Sequence, residues 1–238
     1  MIRGSRLLSA LMRGGRLLST LTRSVAVGGR SVAGDGRLSA RMRYEMSRSL
    51  QNDDPWSLES SPYERHRYDV MLGMLADERI YGRALEVGCA TGVFTAELSR
   101  RCATLDVIDV LPEAIDRCRM RLQGAENVSY AVADIGGDCG DRAETYDLIV
   151  VAEVLYYLEY QQHIAAAVKK VASWLRPGGI LLFTSMVDAI AAPSYLIGAE
   201  TTMREWGRFL EEIERFSCRG SGPGEHALIV KYRRPLSP

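Results

Sequence analysis

A short glycine-containing loop constrains the fold of this 238-residue chain more than any other feature. The loop, Gly88–Gly92, follows the apolar segment Ala84–Val87 and precedes Val93–Arg101, which has the pattern of a helix. A second apolar segment, Thr104–Asp109, then ends on a carboxylate. This order is typical of an α/β domain that binds a nucleoside. The glycines let the backbone approach the ligand closely, and the second-strand carboxylate accepts hydrogen bonds from a ribose diol.

The residues around the loop indicate which nucleoside is bound. A dinucleotide loop reads G-x-G-x-x-G and faces a pyrophosphate, whereas this loop has glycines at 88 and 92 with Ala90 between them. Glu86 lies just ahead of the loop, where a buried carboxylate would repel a pyrophosphate but attract an ammonium and a sulfonium. We therefore predict S-adenosyl-L-methionine as the cofactor. The alternative, an α/β turn whose glycines serve only chain geometry, is disfavoured because Glu86 and Asp109 are both present.

Composition limits the class of protein. A 238-residue chain with 47% hydrophobic residues suits one large domain with an extension. No apolar run approaches the roughly 20 residues of a membrane span, so we predict no stable membrane insertion. The five cysteines lack C-x-x-C spacing, which favours reduced thiols in a cytosolic protein over a disulfide framework or a zinc site. We expect no metal ion.

The first 43 residues differ in charge from the rest of the chain. They contain nine arginines and one acid, Asp35, although the formal net charge of the whole chain is zero. The remainder is therefore acidic, which argues against nucleic acid as a partner. We predict that residues 1–50 form a basic, low-complexity, disordered extension and that residues 51–238 form the domain. A transit peptide, a membrane-surface segment and an upstream reading with the true start at Met42 or Met46 stay open as alternatives.

Strand and helix patterns alternate through the domain. A serine–proline start signal predicts a helix over residues 63–76, and further helices are predicted over 112–122 and 161–175, the last ending at the Arg-Pro-Gly-Gly segment 176–179. Predicted strands are 84–87, 104–109, 128–133, 146–151 and 180–185, followed by a hairpin of 211–217 and 226–232. This layout predicts a Rossmann-like α/β fold of the class I methyltransferases, with helices on both faces. Its sheet has seven mostly parallel strands and an antiparallel last strand.

Further segments resemble one particular family. From about Asp53 to the C-terminus the chain resembles the nodulation protein S family of S-adenosylmethionine-dependent N-methyltransferases. The segments that carry the resemblance are Asp54–Trp56, Tyr63–Tyr68, Ala84–Ala90, Val107–Val110, Tyr146–Leu158 and Gly198–Thr201. The D-P-W segment and the run from Asp147 to Leu158 are the most specific of them. The N-terminal extension departs from the family pattern.

The resemblance implies a substrate and a location. It implies methylation of the free amine of a deacetylated chitooligosaccharide, during assembly of a lipochitooligosaccharide nodulation signal in the bacterial cytoplasm, without a metal. The expected partner is thus a small-molecule or oligosaccharide amine. The alternatives are a small-molecule O- or N-methyltransferase with a different acceptor, and a methyltransferase-like interaction module. The presence of Glu86, Gly88, Gly92 and Asp109 argues against a non-enzymatic interaction module. Nothing in the sequence indicates the oligomeric state.

Cofactor-binding roles are assigned by position in the predicted fold. Glu86 orients the cofactor ammonium, Asp109 binds the ribose hydroxyls, and Asp134 with Ile135 flanks the adenine, although Asp134 would equally cap the next helix. The loop residues expected to pass beneath the methionine and ribose are Gly88, Ala90 and Gly92. Ahead of the first strand, Arg67 is favoured over Arg65 as partner of the methionine carboxylate, with a surface charge as the alternative. Trp56 is either a lid aromatic or a packing anchor.

Catalytic roles are assigned at the end of the buried strand 146–151. An amine attacks only when it is unprotonated, so Glu153 is predicted to hold the cationic amine and receive a proton. Tyr156, with Tyr157, is predicted to stack on sugar faces or donate hydrogen bonds. The alternative is that all three residues pack the sheet edge. His163 is a second choice as base.

Overall fold

The computed structural model describes residues 38–75, 80–158, 160–189 and 197–236. Within these ranges it contains seven strands and six α-helices. In chain order they are α1 (Ala40–Ser49), α2 (Pro62–Met74), β1 (Tyr81–Val87), α3 (Val93–Leu98), β2 (Cys102–Asp109), α4 (Pro112–Arg121), β3 (Val128–Val132), β4 (Tyr146–Ala152), α5 (Gln161–Trp174), β5 (Leu175–Met186), α6 (Ala199–Trp206), β6 (Glu211–Arg219) and β7 (His226–Arg233). Short 3-10 turns lie at Pro55–Ser57, Ser99–Arg101 and Leu155–Leu158.

One sheet contains all seven strands, in the order β3-β2-β1-β4-β5-β7-β6. Strand β7 runs antiparallel to both β5 and β6, and the other pairs are parallel. The predicted seven-stranded, mostly parallel sheet with an antiparallel last strand is therefore confirmed. The strand order reverses between β1 and β4. In open α/β sheets ligands bind beyond the carboxyl ends of the strands at such a reversal.

Helices cover both faces of the sheet, as predicted, because alternate residues of the buried strand β4 point to opposite sides. Leu148 and Val150 pack in a core with residues of α2, α3 and α4. Ile149 and Val151 pack in a second core with residues of α5 and α6. Helix α6 was not predicted, and its Trp206 is fully buried in the second core.

The boundary between helix α5 and strand β5 differs from the prediction. The helix ends at Trp174, and the strand begins at Leu175, so the proline–glycine segment 176–179 lies inside β5. The pairing register between β4 and β5 shifts between Tyr146 and Leu148. A Cβ on Gly179 would lie 2.8 Å from the Arg176 carbonyl oxygen, so this irregularity requires glycine. The segment is therefore a bulge in the strand, and the strand pairing continues beyond it.

The predicted extension 1–50 needs correction for its last residues. Residues 40–49 form helix α1, whose N-cap Ser39 accepts a hydrogen bond from the Met42 N–H. Leu38 and Leu50, at either end of the helix, are buried against the domain. Residues 1–37, with the leucine–arginine repeats, lie outside the described residues. Residues 38–50 therefore pack as part of the domain, and the predicted boundary at residue 51 lies too late in the chain.

Among the described residues, no helix is both long enough and apolar enough to cross a membrane.

Candidate active site

A cavity of about 500 Å³ lies beyond the carboxyl ends of strands β1 to β4. Helices α1 and α2, the glycine loop and the turn between β6 and β7 also contribute to its walls. The predicted site residues that line it are Trp56, Arg67, Glu86, Gly88, Ala90, Asp109, Asp134, Ile135, Glu153 and Tyr156. The fold thus brings together residues from six separate parts of the sequence. Gly92 is the predicted site residue that is not part of the lining.

The glycine loop adopts a conformation that side chains rarely tolerate. Gly88, Ala90 and Gly92 have φ values of 83°, 48° and 79°, all in the left-handed region. The Gly88 N–H donates to the Ile108 carbonyl at 2.8 Å, which joins the loop to the end of β2. A Cβ on Gly92 would lie 2.9 Å from Cys118 Cα in helix α4. Gly92 therefore allows close packing of the loop on that helix, and its predicted contact with a cofactor stays a prediction.

Asp109 anchors the loop and faces the cavity. Its carboxylate accepts hydrogen bonds from the N–H groups of Leu111 at 2.9 Å and Ala90 at 3.2 Å. Burial raises the pKa of Asp109, and these backbone N–H groups lower it in part. The Cys89 thiol also donates to Oδ2 at 3.9 Å. Since a carboxylate has about four acceptor positions, one on Oδ1 is left for a ribose hydroxyl.

Glu86 has an unpaired oxygen beside the cavity. The residue is 2% exposed, and its Oε2 atom has no hydrogen-bond partner among the described residues. Burial raises the pKa of Glu86 to about 8, and the polar hydroxyl of Thr95 opposes the rise in part. Burying a carboxylate oxygen without a hydrogen-bond donor costs free energy. An ammonium group would supply the missing donor. The residues present therefore fit the ammonium end of S-adenosylmethionine.

Asp134 lies at the cavity, but donors from the protein occupy much of its carboxylate. It accepts hydrogen bonds from the N–H groups of Gly136 at 2.9 Å and Leu38 at 3.0 Å, and it pairs with the Arg43 guanidinium. The predicted contacts of Asp134 and Ile135 with adenine stay predictions. Arg43 and Leu38 were missed because the arginine-rich composition of this segment indicated an extension. A signal was present in the spacing of the apolar residues 38, 42, 46 and 50, which is typical of a helix face.

Trp56 combines backbone strain with an unpaired donor. Trp56 and Ser57 have φ values of 58° and 59°, unusual for residues with side chains. The indole Nε1 is buried and has no partner among the described residues. The side chain packs on the core and lines the cavity, so it serves as an anchor in this structure.

Glu153 enters the cavity directly after β4, with a φ of 54°. Its carboxylate accepts hydrogen bonds from the Thr184 hydroxyl and the Met186 N–H, each at 3.1 Å. The Arg67 Nη1 lies 3.8 Å from its Oε1. Burial raises the pKa of Glu153, and the charge of Arg67 opposes that rise. The position and chemistry suit the predicted proton acceptor.

Of the two arginines considered for the methionine carboxylate, Arg67 lines the cavity and Arg65 does not. Arg67 is 3% exposed and is bonded to Glu64 through Nε at 3.1 Å and through Nη2. The side chain of Arg65 instead donates to backbone carbonyls at the surface. The predicted bond between Arg67 and the cofactor carboxylate stays a prediction, because the observed partners are Glu64 and Glu153.

Two tyrosines follow Glu153 in the 3-10 turn. The ring centroids of Tyr156 and Tyr157 are 4.5 Å apart, and both rings line the cavity. Burial raises the pKa of Tyr157 to about 12 and that of Tyr156 well above its usual value, so both hydroxyls are neutral donors. His163, the second choice as base, lies in α5 against Tyr160 and is not part of the lining.

Comparison with known proteins shows the family of the chain and agrees with the fold. The family model of nodulation protein S (NodS) matches residues 39–237. Nodulation protein S of Rhizobium tropici is 41% identical over 210 residues, 87% of this chain and 87% of that protein. The same protein of Bradyrhizobium diazoefficiens is 40% identical over 191 residues, 80% of this chain and 90% of that protein.

A solved structure of nodulation protein S has a fold similar to that of this chain. The crystal structure of the N-methyltransferase NodS from Bradyrhizobium japonicum WM9, in complex with S-adenosyl-L-homocysteine, has a TM-score of 0.78 and 39% identity. The structural alignment covers 82% of this chain and 98% of that chain. Because the family match begins at residue 39, helix α1 is part of the family domain, and the expectation that the family lacks it is wrong. This chain belongs to the nodulation protein S family.

Proposed function

We propose that this chain transfers the methyl group of S-adenosylmethionine to the free amine of a deacetylated chitooligosaccharide. The chain is a methyltransferase of the nodulation protein S family. One observation carries the proposal: a single cavity is lined both by the Glu86 and Asp109 carboxylates, from β1 and β2, and by the Glu153 carboxylate with Tyr156 and Tyr157, which follow β4. The first group suits the ammonium and ribose of the methyl donor. The second group suits a sugar amine.

The protein's part in this reaction is positioning and proton transfer. When bound, S-adenosylmethionine supplies a methyl carbon that its sulfonium has already activated. Glu86 and Asp109 would hold the ammonium and the ribose of the donor at the glycine loop, and such positioning is worth roughly 7–11 kcal/mol of the barrier. Glu153 takes the proton that the amine must lose before its lone pair attacks. A base of this kind is typically worth about 10²–10⁴-fold in rate.

The acceptor end of the cavity suits a sugar. Tyr63, Tyr156 and Tyr157 contribute aromatic faces with polar tips, and the turn 222–225 between β6 and β7 adds backbone groups. Aromatic side chains of this kind combine an apolar contact surface with a hydrogen-bonding group. The proposed partner is therefore a small-molecule or oligosaccharide amine and not a nucleic acid. The proposed location is the bacterial cytoplasm, where the reduced state of the five cysteines is ordinary.

Product analysis tests the proposal. The protein is incubated with methyl-labelled S-adenosylmethionine and with amine, phenol and carboxylate acceptors, and the products are fragmented in a mass spectrometer. We expect label on the nitrogen of sugar amines. Label on an oxygen would instead make the chain an O-methyltransferase.

A further inference from the structure

A buried cluster of three charged groups lies on the acceptor side of the cavity. Arg67 lies between two carboxylates, with Nε and Nη2 bonded to Glu64 and Nη1 facing Glu153 at 3.8 Å. Its guanidinium also lies 5.1 Å from the centre of the Tyr68 ring. The planar guanidinium has five donors in a fixed arrangement, so these contacts set its orientation.

The cluster has an unbalanced charge. With both acids ionised, two carboxylates share one guanidinium and leave one net negative charge. The other titratable groups that face Glu153 from neighbouring elements are tyrosines and a thiol, all neutral near pH 7: Tyr63, Tyr68, Tyr156, Tyr157 and Cys218. A buried charge is costly unless it is paired. Among the described residues, the ionised cluster is therefore one cation short, whereas burial favours a proton on Glu153 when no other cation is present.

Glu153 is the member of the cluster that can receive this cation. Its carboxylate side chain is 21% exposed toward the cavity, compared with 4% for Arg67. Thr184 and Met186 occupy one acceptor position on each oxygen. The remaining positions are open to a donor, and the strained backbone at Glu153 is a feature of functional sites.

We infer that Arg67 is a positioning residue that holds Glu153 as an oriented, ionised carboxylate for the protonated amine of the acceptor. Glu64 fixes Arg67 in turn. The inference rests on the proposed function and assigns Arg67 to the acceptor instead of the cofactor carboxylate. Two of its three guanidinium nitrogens are bonded to Glu64 and the third faces Glu153 at 3.8 Å, so a cofactor carboxylate would be a third negative charge at one guanidinium.

The test compares R67Q, R67K and the matched surface variant R65Q. Removal of the Arg67 charge removes the group that stabilises the ionised form of Glu153. The acid limb of the kcat/KM profile for a glucosamine oligomer should therefore move to higher pH in R67Q, with a loss of about 10- to 100-fold at pH 7. In R67K the limb should stay near the wild-type position, and R65Q should match wild type throughout. The dissociation constant for S-adenosylhomocysteine should change less than threefold in all variants.

Two results would overturn the inference. A tenfold or larger loss of S-adenosylhomocysteine affinity in R67Q with an unmoved acid limb would assign Arg67 to the cofactor. An equal loss of kcat/KM at every pH would make Arg67 a structural residue.

A readout without turnover separates this inference from the proposed function. In protein labelled with ¹³C at glutamate carboxyls, with E153Q to assign the signal, Glu153 should titrate at higher pH in R67Q than in wild type. If wild type methylates no amine, the proposed function fails, whereas an unmoved Glu153 titration refutes the coupling to Arg67.

Discussion

The Arg43 guanidinium pairs with the Asp134 carboxylate, and this contact joins helix α1 to the segment after β3, 91 residues further along the chain. Arg43 also donates to the Val110 carbonyl at 3.3 Å, and the Leu38 N–H donates to the same aspartate at 3.0 Å. Leu38 and other residues of this helix region line the cavity. The ion pair therefore attaches one wall of the cavity to the sheet.

Arg43→Ala should weaken binding of S-adenosylhomocysteine about fivefold, because it releases the wall that α1 contributes. The effect is modest because the Arg43 side chain is 35% exposed, and a partly exposed pair is worth about 1 kcal/mol. Isothermal titration calorimetry measures it. Arg41→Ala is the matched control, since Arg41 is an exposed residue of the same helix. Equal affinities of wild type and R43A would contradict the role of the ion pair.

Gly92→Ala should destabilise the protein and abolish cofactor binding. The new Cβ would meet Cys118 Cα at 2.9 Å, and the φ of 79° adds backbone strain. We expect a loss of about 2–4 kcal/mol in the free energy of unfolding. Gly124→Ala separates the two causes, because Gly124 has a φ of 86° but no atom within 4 Å of its added Cβ. It should cost about 1 kcal/mol. Urea unfolding of both variants checks the difference, and equal losses would exclude the packing explanation.

The stability of the cofactor-free protein should fall as pH rises through the neutral range, in part because of Glu86. Its pKa is about 8 in the folded protein against an ordinary value of 4.5, so between these values the folded state holds a proton that the unfolded state has released. Glu86→Gln removes this contribution and should gain stability relative to wild type as pH increases. Thermal unfolding from pH 5 to 8 tests this, with the exposed Glu97→Gln as control. If the difference in melting temperature between E86Q and wild type did not change with pH, the raised pKa of Glu86 would be contradicted.

Trp56→Phe should weaken ligand binding without unfolding the protein. The variant keeps an aromatic ring for packing but removes the buried indole N–H, which lacks a partner among the described residues. If a ligand accepts a hydrogen bond from this group, binding should weaken roughly fivefold, as expected for about 1 kcal/mol. Separate calorimetric titrations with S-adenosylhomocysteine and with a glucosamine oligomer identify which ligand is affected. Unchanged affinity for both would leave Trp56 as a packing anchor.

The sequence predicted the local elements well because their signals are local. The continuous apolar run of β4 indicates a buried strand, and the glycines of Gly88–Gly92 indicate a loop, without reference to the rest of the chain. The order of such strands and the lengths of their connections then predict the sheet. Helix α1 was misread because its arginines resemble those of the preceding segment, although Leu38 and Leu50 are buried. The Arg-Pro-Gly-Gly segment was read as the end of helix α5 because proline and glycine stop helices, but it lies inside β5, where a bulge accommodates it.

The partners of the site residues were not predictable in the same way. Glu153 and Arg67 were each singled out by position, but the sequence holds no sign that they face each other. Asp134 was given adenine as its partner because of its position after the third strand, and its pairing with Arg43 was not foreseen. Such pairings depend on how distant elements pack, which a single sequence does not encode in any local pattern.

The most direct test of the central claim is transfer of labelled methyl from S-adenosylmethionine to a deacetylated chitooligosaccharide, followed by fragmentation of the product. The fully acetylated oligomer serves as the control acceptor, and E153Q as the control enzyme. The account predicts one labelled methyl on the free amine, none on the acetylated oligomer and at least tenfold slower transfer by E153Q. Label on a hydroxyl oxygen, or no transfer by a protein that binds the cofactor, would contradict it.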